Sequence, residues 1–303
     1  MSEVVLHEYA ISPFSEKVRR VLAYKGIPYR SVEQPIMAPK PDLTPLTGGY
    51  RRIPVMQVGA DIYCDTALII RRLDTLFPER PVVPVKEQGL AMMIEDWADH
   101  RVFSQAVPPV VVALADALPE GFFEDRGAMT PAFQKETLIN AAPVAFEQIG
   151  HVLNYLDQQL QSTTFVLGES FTVADAACFH TIKFLKNDPS NEAHIDARPA
   201  VARWVKQIED FGPGKVESMT PAEALAAARD ASPSDVDGAS VVVDGYALGD
   251  TVTIIADDYG QETTSGKVTR ILKNQISVVR EDENLGSIAV HYPRAGYRVI
   301  KNS

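Results

Sequence analysis

Cysteine is nearly missing from this chain. Cys64 and Cys178 are the whole complement, and they lie far apart in sequence. Two such thiols give no disulfide framework and no metal-ligand spacing, so a stapled secreted scaffold is excluded and no metal site is expected. An excess of positive charge is missing too. The 29 Lys and Arg stand against 40 Asp and Glu, a net charge of −11, which argues against a nucleic-acid backbone or an anionic membrane as the main partner. No apolar run approaches the length of a membrane span; residues 106–118 are interrupted by Pro108 and Pro109. The opening Met1-Ser2-Glu3-Val4 lacks a basic region followed by an apolar core, so no secretory signal is apparent and a cytoplasmic address is expected. The remainder is ordinary globular material. With 46% hydrophobic residues over 303 positions, it suffices for full cores in two or three domains.

The most informative stretch is residues 51–77. Arg51-Arg52-Ile53-Pro54-Val55-Met56-Gln57-Val58 places an apolar run after a proline, and Gly59-Ala60 turns it back. Asp61-Ile62-Tyr63-Cys64 then leads into Asp65-Thr66, an acidic-hydroxyl pair that opens a helix. This reads as a β-hairpin feeding a helix N-terminus. Pro54 has no N–H, so it suits the first residue of a strand, with a cis bond before it as one option. In that arrangement the Ile53 backbone would face an extended ligand, and the Thr66 hydroxyl with the helix amides would face a carboxylate. An ordinary hairpin with an Asp cap accounts for the same residues.

Upstream, residues 4–8 read as a strand, Ser12 and Pro13 as a helix start, Gly26 as its stop, and residues 29–33 as a second strand. Strand, helix and strand form a right-handed βαβ unit with parallel strands. Residues 35–50 form a proline-rich connection expected to run over the surface. The four positions Ser12-Pro13-Phe14-Ser15 stand where a redox protein of thioredoxin-like order would carry Cys-x-x-Cys, so dithiol exchange by that route is excluded.

Residues 87–212 are helical in pattern. Leu90, Met93, Ile94 and Trp97 recur at helical spacing, as do Leu138, Ile149, Leu153 and Leu156 further on. Thr172 and Asp175 form a capping-box-like pair before an apolar helix. A last helix, residues 199–211, carries Val201, Trp204, Val205 and Ile208 on one face.

Ile53-Pro54-Val55 with the hairpin, Asp65-Thr66-Ala67, the run Ser12-Pro13-Phe14-Ser15-Glu16-Lys17-Val18-Arg19 and the Thr172–Asp175 cap together resemble the glutathione transferase family, in its cytosolic, serine-containing form. The resemblance covers roughly residues 4–212. It implies a thioredoxin-like α/β glutathione-binding domain over residues 1–82 and an all-α domain over residues 86–212. By the same resemblance, Ile53 beside Pro54 pairs with the cysteinyl backbone of glutathione, and Asp65 with Thr66 holds its γ-glutamyl end. The family pair is usually Glu-Ser or Asp-Ser; Thr keeps the hydroxyl and adds a methyl. Arg52, or Arg51, is a candidate for the glycyl carboxylate, with exposed arginines before a strand as the plain alternative. Ser12, with Ser15 as the second candidate, would donate to the glutathione sulfur and favour the thiolate. Lowering a thiol pKa by ~2 units takes about 2.7 kcal/mol, within reach of one charged hydrogen bond and a helix dipole. As a cap alone, Ser12 would need no such role. Phe14, Trp97, His100 and Arg101 are candidates for a pocket that takes a small hydrophobic second substrate. A homodimer is expected from the family alone. The resemblance leaves other uses of the fold open: a non-catalytic binding or assembly module, or a glutathione-dependent lyase, isomerase or ether-cleaving enzyme.

Past residue 212 the chain departs from the family. Residues 213–239 turn to Ala, Pro, Ser, Asp and Glu and read as a linker, with a short helix at 221–229 and a flexible link at 231–234. From residue 240 about five short strands follow, which suggests a small closed or nearly closed barrel of SH3-like style over residues 240–303. It holds seven Lys and Arg against eight Asp and Glu, so it has no basic footprint. His291-Tyr292-Pro293-Arg294 with Tyr297 and Arg298 is either a recognition patch or a strand end with its turn. The barrel's own partner is not named by these residues; its transferase body and a dimer mate are both open.

Overall fold

Strands Val5–Glu8 (β1) and Pro28–Glu33 (β2) run parallel, with helix Pro13–Lys25 (α1) between them. Gly26 ends α1 at φ +69°, the left-handed stop that glycine supplies at least cost. Val55–Val58 (β3) and Asp61–Cys64 (β4) form the expected hairpin, with β3 antiparallel to β1. Helix Thr66–Leu76 (α3) follows, after a short turn of helix at Thr44–Thr47 (α2). This is the thioredoxin-like order that the sequence implies. The structure is a computed structural model that describes residues 3–234 and 238–302.

The chain divides into two units, one of residues 1–15, 28–72 and 215–303 and one of residues 16–27 and 73–214. The second unit is helical. Its helices are Gln88–Asp96 (α4), Phe103–Ala113 (α5), Phe122–Met129 (α6), Lys135–Leu160 (α7), Val173–Leu185 (α8), Glu192–Asp196 (α9) and Pro199–Glu209 (α10). α8 is its buried centre, and the Thr172–Asp175 capping box at its start is formed. Asp175 does more than cap. It also accepts the Val166 amide at 2.7 Å and the Trp204 indole N–H at 3.0 Å, so one carboxylate ties a loop and α10 to α8. Pro108 and Pro109 lie inside α5 rather than ending it.

Three features of the structure add to or correct the sequence reading. The stretch read as a linker is built into the first unit. Lys215–Ser218 (β5) pairs parallel with β2, and Pro221–Arg229 (α11) starts on a Thr220–Glu223 capping box. The Ser234 amide donates to Asp61 at 2.9 Å, so the expected flexible link is anchored at that end; residues 235–237 lie outside the described residues.

Second, the five C-terminal strands are Thr251–Ala256 (β6), Thr263–Ile271 (β7), Gln275–Asp282 (β8), Gly286–Pro293 (β9) and Tyr297–Lys301 (β10). They make an antiparallel added β domain in the order β10-β6-β7-β8-β9. The outer edge of β9 pairs parallel with β4, so both sets of strands form one ten-stranded sheet, β10-β6-β7-β8-β9-β4-β3-β1-β2-β5. The added domain therefore docks on its own chain. His291, Tyr292 and Tyr297 are buried in it, which removes them as an exposed recognition patch.

Third, the connection over residues 35–50 runs over the surface only in part: Pro35, Ala38, Pro39 and Pro41 are exposed, and the chain turns inward from Leu43. Leu43, Leu46 and Tyr50 are buried in one apolar cluster with Val55 and Ile62 of the hairpin and Val252, Ile254, Val278, Val290 and Tyr292 of the added strands. Gly48 and Gly49 permit that closure. At Gly49, φ +140°, an added Cβ would sit 2.5 Å from the Thr263 carbonyl oxygen. Burying several large aliphatic side chains at ~1.5–3 kcal/mol each makes this cluster a main source of the first unit's stability.

Candidate functional site

Ser12 sits immediately before α1 and is buried, and its Oγ accepts the Ser15 amide at 3.1 Å. It is thus the cap that the sequence predicts. A serine hydroxyl has one proton and two lone pairs, so capping leaves the proton to donate elsewhere. Ser15 is fully buried. In the first turn Glu16 takes Arg20 at 2.6 Å and Arg19 at 2.9 Å. Burial alone would push its carboxyl up, but the two guanidiniums outweigh that and hold it below the ordinary range. The acid near the Ser12 end is therefore neutralised locally.

The hairpin positions the second group. The Ile53–Pro54 bond is cis, and Ile53 lies just ahead of the β3 ladder. Asp65 has φ +77°, a left-handed conformation that an L residue with a Cβ seldom adopts. Such outliers concentrate at ligand-gripping positions. Its Oδ1 accepts the Ala67 amide at 2.9 Å and so caps α3. Its Oδ2 accepts the Tyr297 hydroxyl at 3.1 Å, a partner supplied by the added strands. Thr66, buried, is the first residue of α3, where free amides and the helix dipole favour an anion.

The two arginines are committed elsewhere. Arg52 pairs with Asp258 at 2.5 Å and lies over the Tyr259 ring at 5.4 Å, and Arg51 pairs with Glu262 at 3.4 Å. All three partners come from the loop after β6. Cys64 and Cys178 are buried, and burial pushes both thiols up, so neither is poised as a nucleophile.

Two family models match the chain. "Glutathione S-transferase, N-terminal domain" covers residues 6–81, and "Glutathione S-transferase, C-terminal domain" covers residues 127–211. A GST-like protein from Pseudomonas syringae of known structure is 33% identical over the whole of both chains, with a TM-score of 0.84. The chain belongs to the glutathione S-transferase family. Glutathione S-transferase U4 of Arabidopsis thaliana is 22% identical over 69% of this chain and 85% of its own length. A glutathione transferase family member from Pseudomonas fluorescens, solved with two glutathione molecules bound, shares the fold at 16% identity and a TM-score of 0.52, over 70% of this chain and 90% of its own. The Pseudomonas syringae likeness spans the added strands as well, so they are not peculiar to this chain.

In the helical unit, α4 passes into α5 through a π-helical segment, Trp97–Val102. The Phe103 amide reaches back to the Ala98 carbonyl, one residue further than in an α-helix. Asp99 lies in this segment and bridges two buried groups, Lys17 at 2.5 Å and His180 at 2.9 Å. Glu95, one turn earlier, takes Lys17 at 2.8 Å. Burial opposes charge on Lys17, yet Asp99 and Glu95 outweigh it and hold the ammonium above its ordinary pKa. Burial likewise opposes charge on Asp99, and Lys17 and His180 bring it down to about 2. The sequence did not reveal this cluster; a lysine on the apolar side of α1 was the available signal.

Of the second-substrate candidates, Phe14 belongs to the first unit and is half-buried. Trp97, His100 and Arg101 belong to the second; Trp97 is half-buried, and His100 and Arg101 are exposed. His100 Nδ1 lies 3.3 Å from the Asp96 carboxylate. A surface cleft of about 390 Å³ lined by Lys186, Ile195, Arg203, Lys206 and Glu209 contains none of these residues.

Proposed function

We propose that this protein is a glutathione transferase that binds glutathione along Ile53, Pro54, Asp65 and Thr66 and uses the Ser12 hydroxyl to stabilise its thiolate. The thiolate attacks an electrophilic carbon of a small hydrophobic substrate and forms the thioether as the leaving group or the π electrons depart. Asp65 is the observation that carries the reading. An acid in a left-handed conformation, at the mouth of α3 and beside the buried Thr66 hydroxyl, is suited to take an amino-acid head group. Its carboxylate faces the ammonium, and the helix amides face the carboxylate. Ser12, at another helix start in the same unit, adds a hydroxyl donor to a positive dipole end, the two effects that lower a thiol pKa. Homodimerisation is carried from the family resemblance, and with the expected cytoplasmic setting it belongs to the same reading.

The commitment of Arg52 to Asp258 and Tyr259 favours a second reading, a non-catalytic binding module in which the glycyl carboxylate has no free arginine. One experiment separates the two. Glutathione is titrated calorimetrically into wild type, Thr66→Ala and Ser12→Ala, and the ultraviolet absorbance of the bound thiolate is followed against pH. Binding at micromolar to millimolar levels that Thr66→Ala loses, with a bound-thiol pKa raised in Ser12→Ala, supports the enzyme. No binding by wild type in that range overturns the glutathione site, and binding with an unshifted thiol pKa leaves the binding module.

A further inference from the structure

The added strands reach the proposed glutathione site through one hydroxyl. Tyr297 opens β10, pairs with Ala256 of β6 and is 8% exposed. Its ring packs against Tyr292 at 5.2 Å and Tyr50 at 6.5 Å between centroids, and Tyr50 meets Tyr292 edge-on at 5.7 Å. The cluster is tied down at its far side. The Tyr292 hydroxyl lies 2.6 Å from Thr264 Oγ1, which donates to the Thr47 carbonyl at 2.8 Å. With its neighbours fixed, the Tyr297 ring has little freedom to swing its hydroxyl away from Asp65. The Tyr297 hydroxyl also lies 3.4 Å from that of Tyr50, on a geometry in which Tyr297 is the donor; its single proton serves one acceptor at a time, and the shorter contact to the charged carboxylate, 3.1 Å, is the stronger of the two.

We propose that Tyr297 is a positioning residue for glutathione, fixing the Asp65 carboxylate in the orientation that receives the γ-glutamyl ammonium group. The inference rests on the reading that Asp65 receives that end of glutathione. An ionised carboxylate offers about four lone-pair sites on two oxygens. Ala67 occupies one on Oδ1 and Tyr297 one on Oδ2. The carboxylate plane is thereby set from both sides, and the remaining lone pairs are held for a cation rather than free to rotate. Burial pushes the Tyr297 phenol well above its ordinary pKa, so it stays a donor throughout the working pH range. A tyrosine is suited to the task because it orients the acid without neutralising it; a lysine or arginine there would compete with the ligand's ammonium. The added strands thus form part of the ligand-binding machinery rather than a separate module.

The test uses the full chain, glutathione, and the analogue in which glutaryl replaces γ-glutamyl and so lacks the α-ammonium group. Wild type is expected to prefer glutathione at least tenfold. Tyr297→Phe keeps the ring and its packing; it is expected to lose five- to tenfold in glutathione affinity while binding the analogue nearly as wild type does. Tyr50→Phe removes the competing acceptor for the Tyr297 proton, so it should raise the preference for glutathione about twofold, and it carries the test if Tyr297→Phe does not fold. A purely structural tyrosine would weaken both ligands alike; that result or no loss in Tyr297→Phe, or an unchanged preference in Tyr50→Phe, overturns the inference. Failure of wild type to bind glutathione at all overturns the underlying site with it; wild-type binding without these selective changes overturns the role of Tyr297 alone.

Discussion

His291 Nε2 lies 2.9 Å from Asp61 Oδ1, and neither residue is more than 2% exposed. Asp61 is on β4 and His291 on β9, so this pair crosses the seam where the added strands join the thioredoxin-like strands. On its other side the imidazole Nδ1 meets Ser277 Oγ at 2.8 Å, and its face stacks on Tyr63 with centroids 4.5 Å apart. Burial keeps His291 below its ordinary pKa despite the carboxylate beside it, so the ring is neutral. Nε2–H then donates to Asp61, and Nδ1 accepts from Ser277. Burial pushes Asp61 up, but the His291 and Ser234 hydrogen bonds outweigh it and leave the acid ionised.

Removing one member of this pair should cost far more than removing both. His291→Phe takes the imidazole donor from the buried Asp61 carboxylate, and a loss of about 1–3 kcal/mol is expected. The double variant His291→Phe, Asp61→Leu strands no charge and should be closer to wild type. Urea unfolding checks the pair. A single variant that loses under ~1 kcal/mol, or a double variant that loses more than the single, would show that the seam does not depend on this bond.

Acid should destabilise the fold well before the carboxylates titrate. Burial holds His7 at about 4, against an ordinary histidine near 6.5, although Gln57 accepts its ring N–H. His180 and His291 are shifted the same way, also chiefly by burial. For each, the unfolded chain takes a proton on falling through about pH 6.5 while the folded chain does not, so stability drops as pH falls. His7 alone should remove roughly 3 kcal/mol by pH 4. Asp99, lowered to about 2, adds a further loss below about pH 4. Urea midpoints measured from pH 7.5 to 4.5 should fall steadily below 6.5, and a flat profile to pH 5 would rule out neutral buried histidines.

Lys17 is the matching case in the helical unit. Its ammonium is fully buried between Glu95 and Asp99. Lys17→Met keeps the stem's volume and removes the charge, so it should cost about 3–5 kcal/mol by leaving two buried acids uncompensated. Adding Glu95→Gln and Asp99→Asn should restore part of that loss. A thermal melt of the single variant within a few degrees of wild type would mean that the two acids find water or protons instead.

Much of this architecture is legible in the sequence because it is written in local patterns. The βαβ unit, the hairpin after Pro54, the Thr172 cap and the helix over residues 221–229 all announce themselves through cap residues, turns and periodicity. The C-terminal strands do so as well, in their number. What stays hidden is which strand edges meet. β4 is buried at all four positions and β9 over its last six, and nothing local says that the two edges pair. β5 is exposed at all four positions and carries no pattern at all. The site is only half legible for the same reason. Ser12 and Asp65 belong to recognisable caps, whereas Tyr297 reaches Asp65 across 232 residues. The available hints were apolar Leu43 and Leu46 within the proline-rich connection and the pair Gly48-Gly49, whose lack of side chains admits the added strands.

Ser12 is both a cap and the proposed thiolate donor, and two substitutions separate those roles. Ser12→Ala removes the cap and should cost about 1 kcal/mol of stability, whereas Ser12→Gly, tolerated at a cap, should cost only a few tenths. Neither keeps a hydroxyl. If the hydroxyl stabilises the thiolate, both variants lose activity toward an electrophilic substrate to a similar degree, on the order of tenfold at pH 6.5 for each unit of rise in the bound-thiol pKa. The deficit should shrink in both as pH is raised, because hydroxide then supplies the thiolate that the serine no longer favours. If instead the alanine variant loses activity and the glycine variant keeps it, activity follows the stability of α1, and Ser12 acts through the helix rather than on the sulfur.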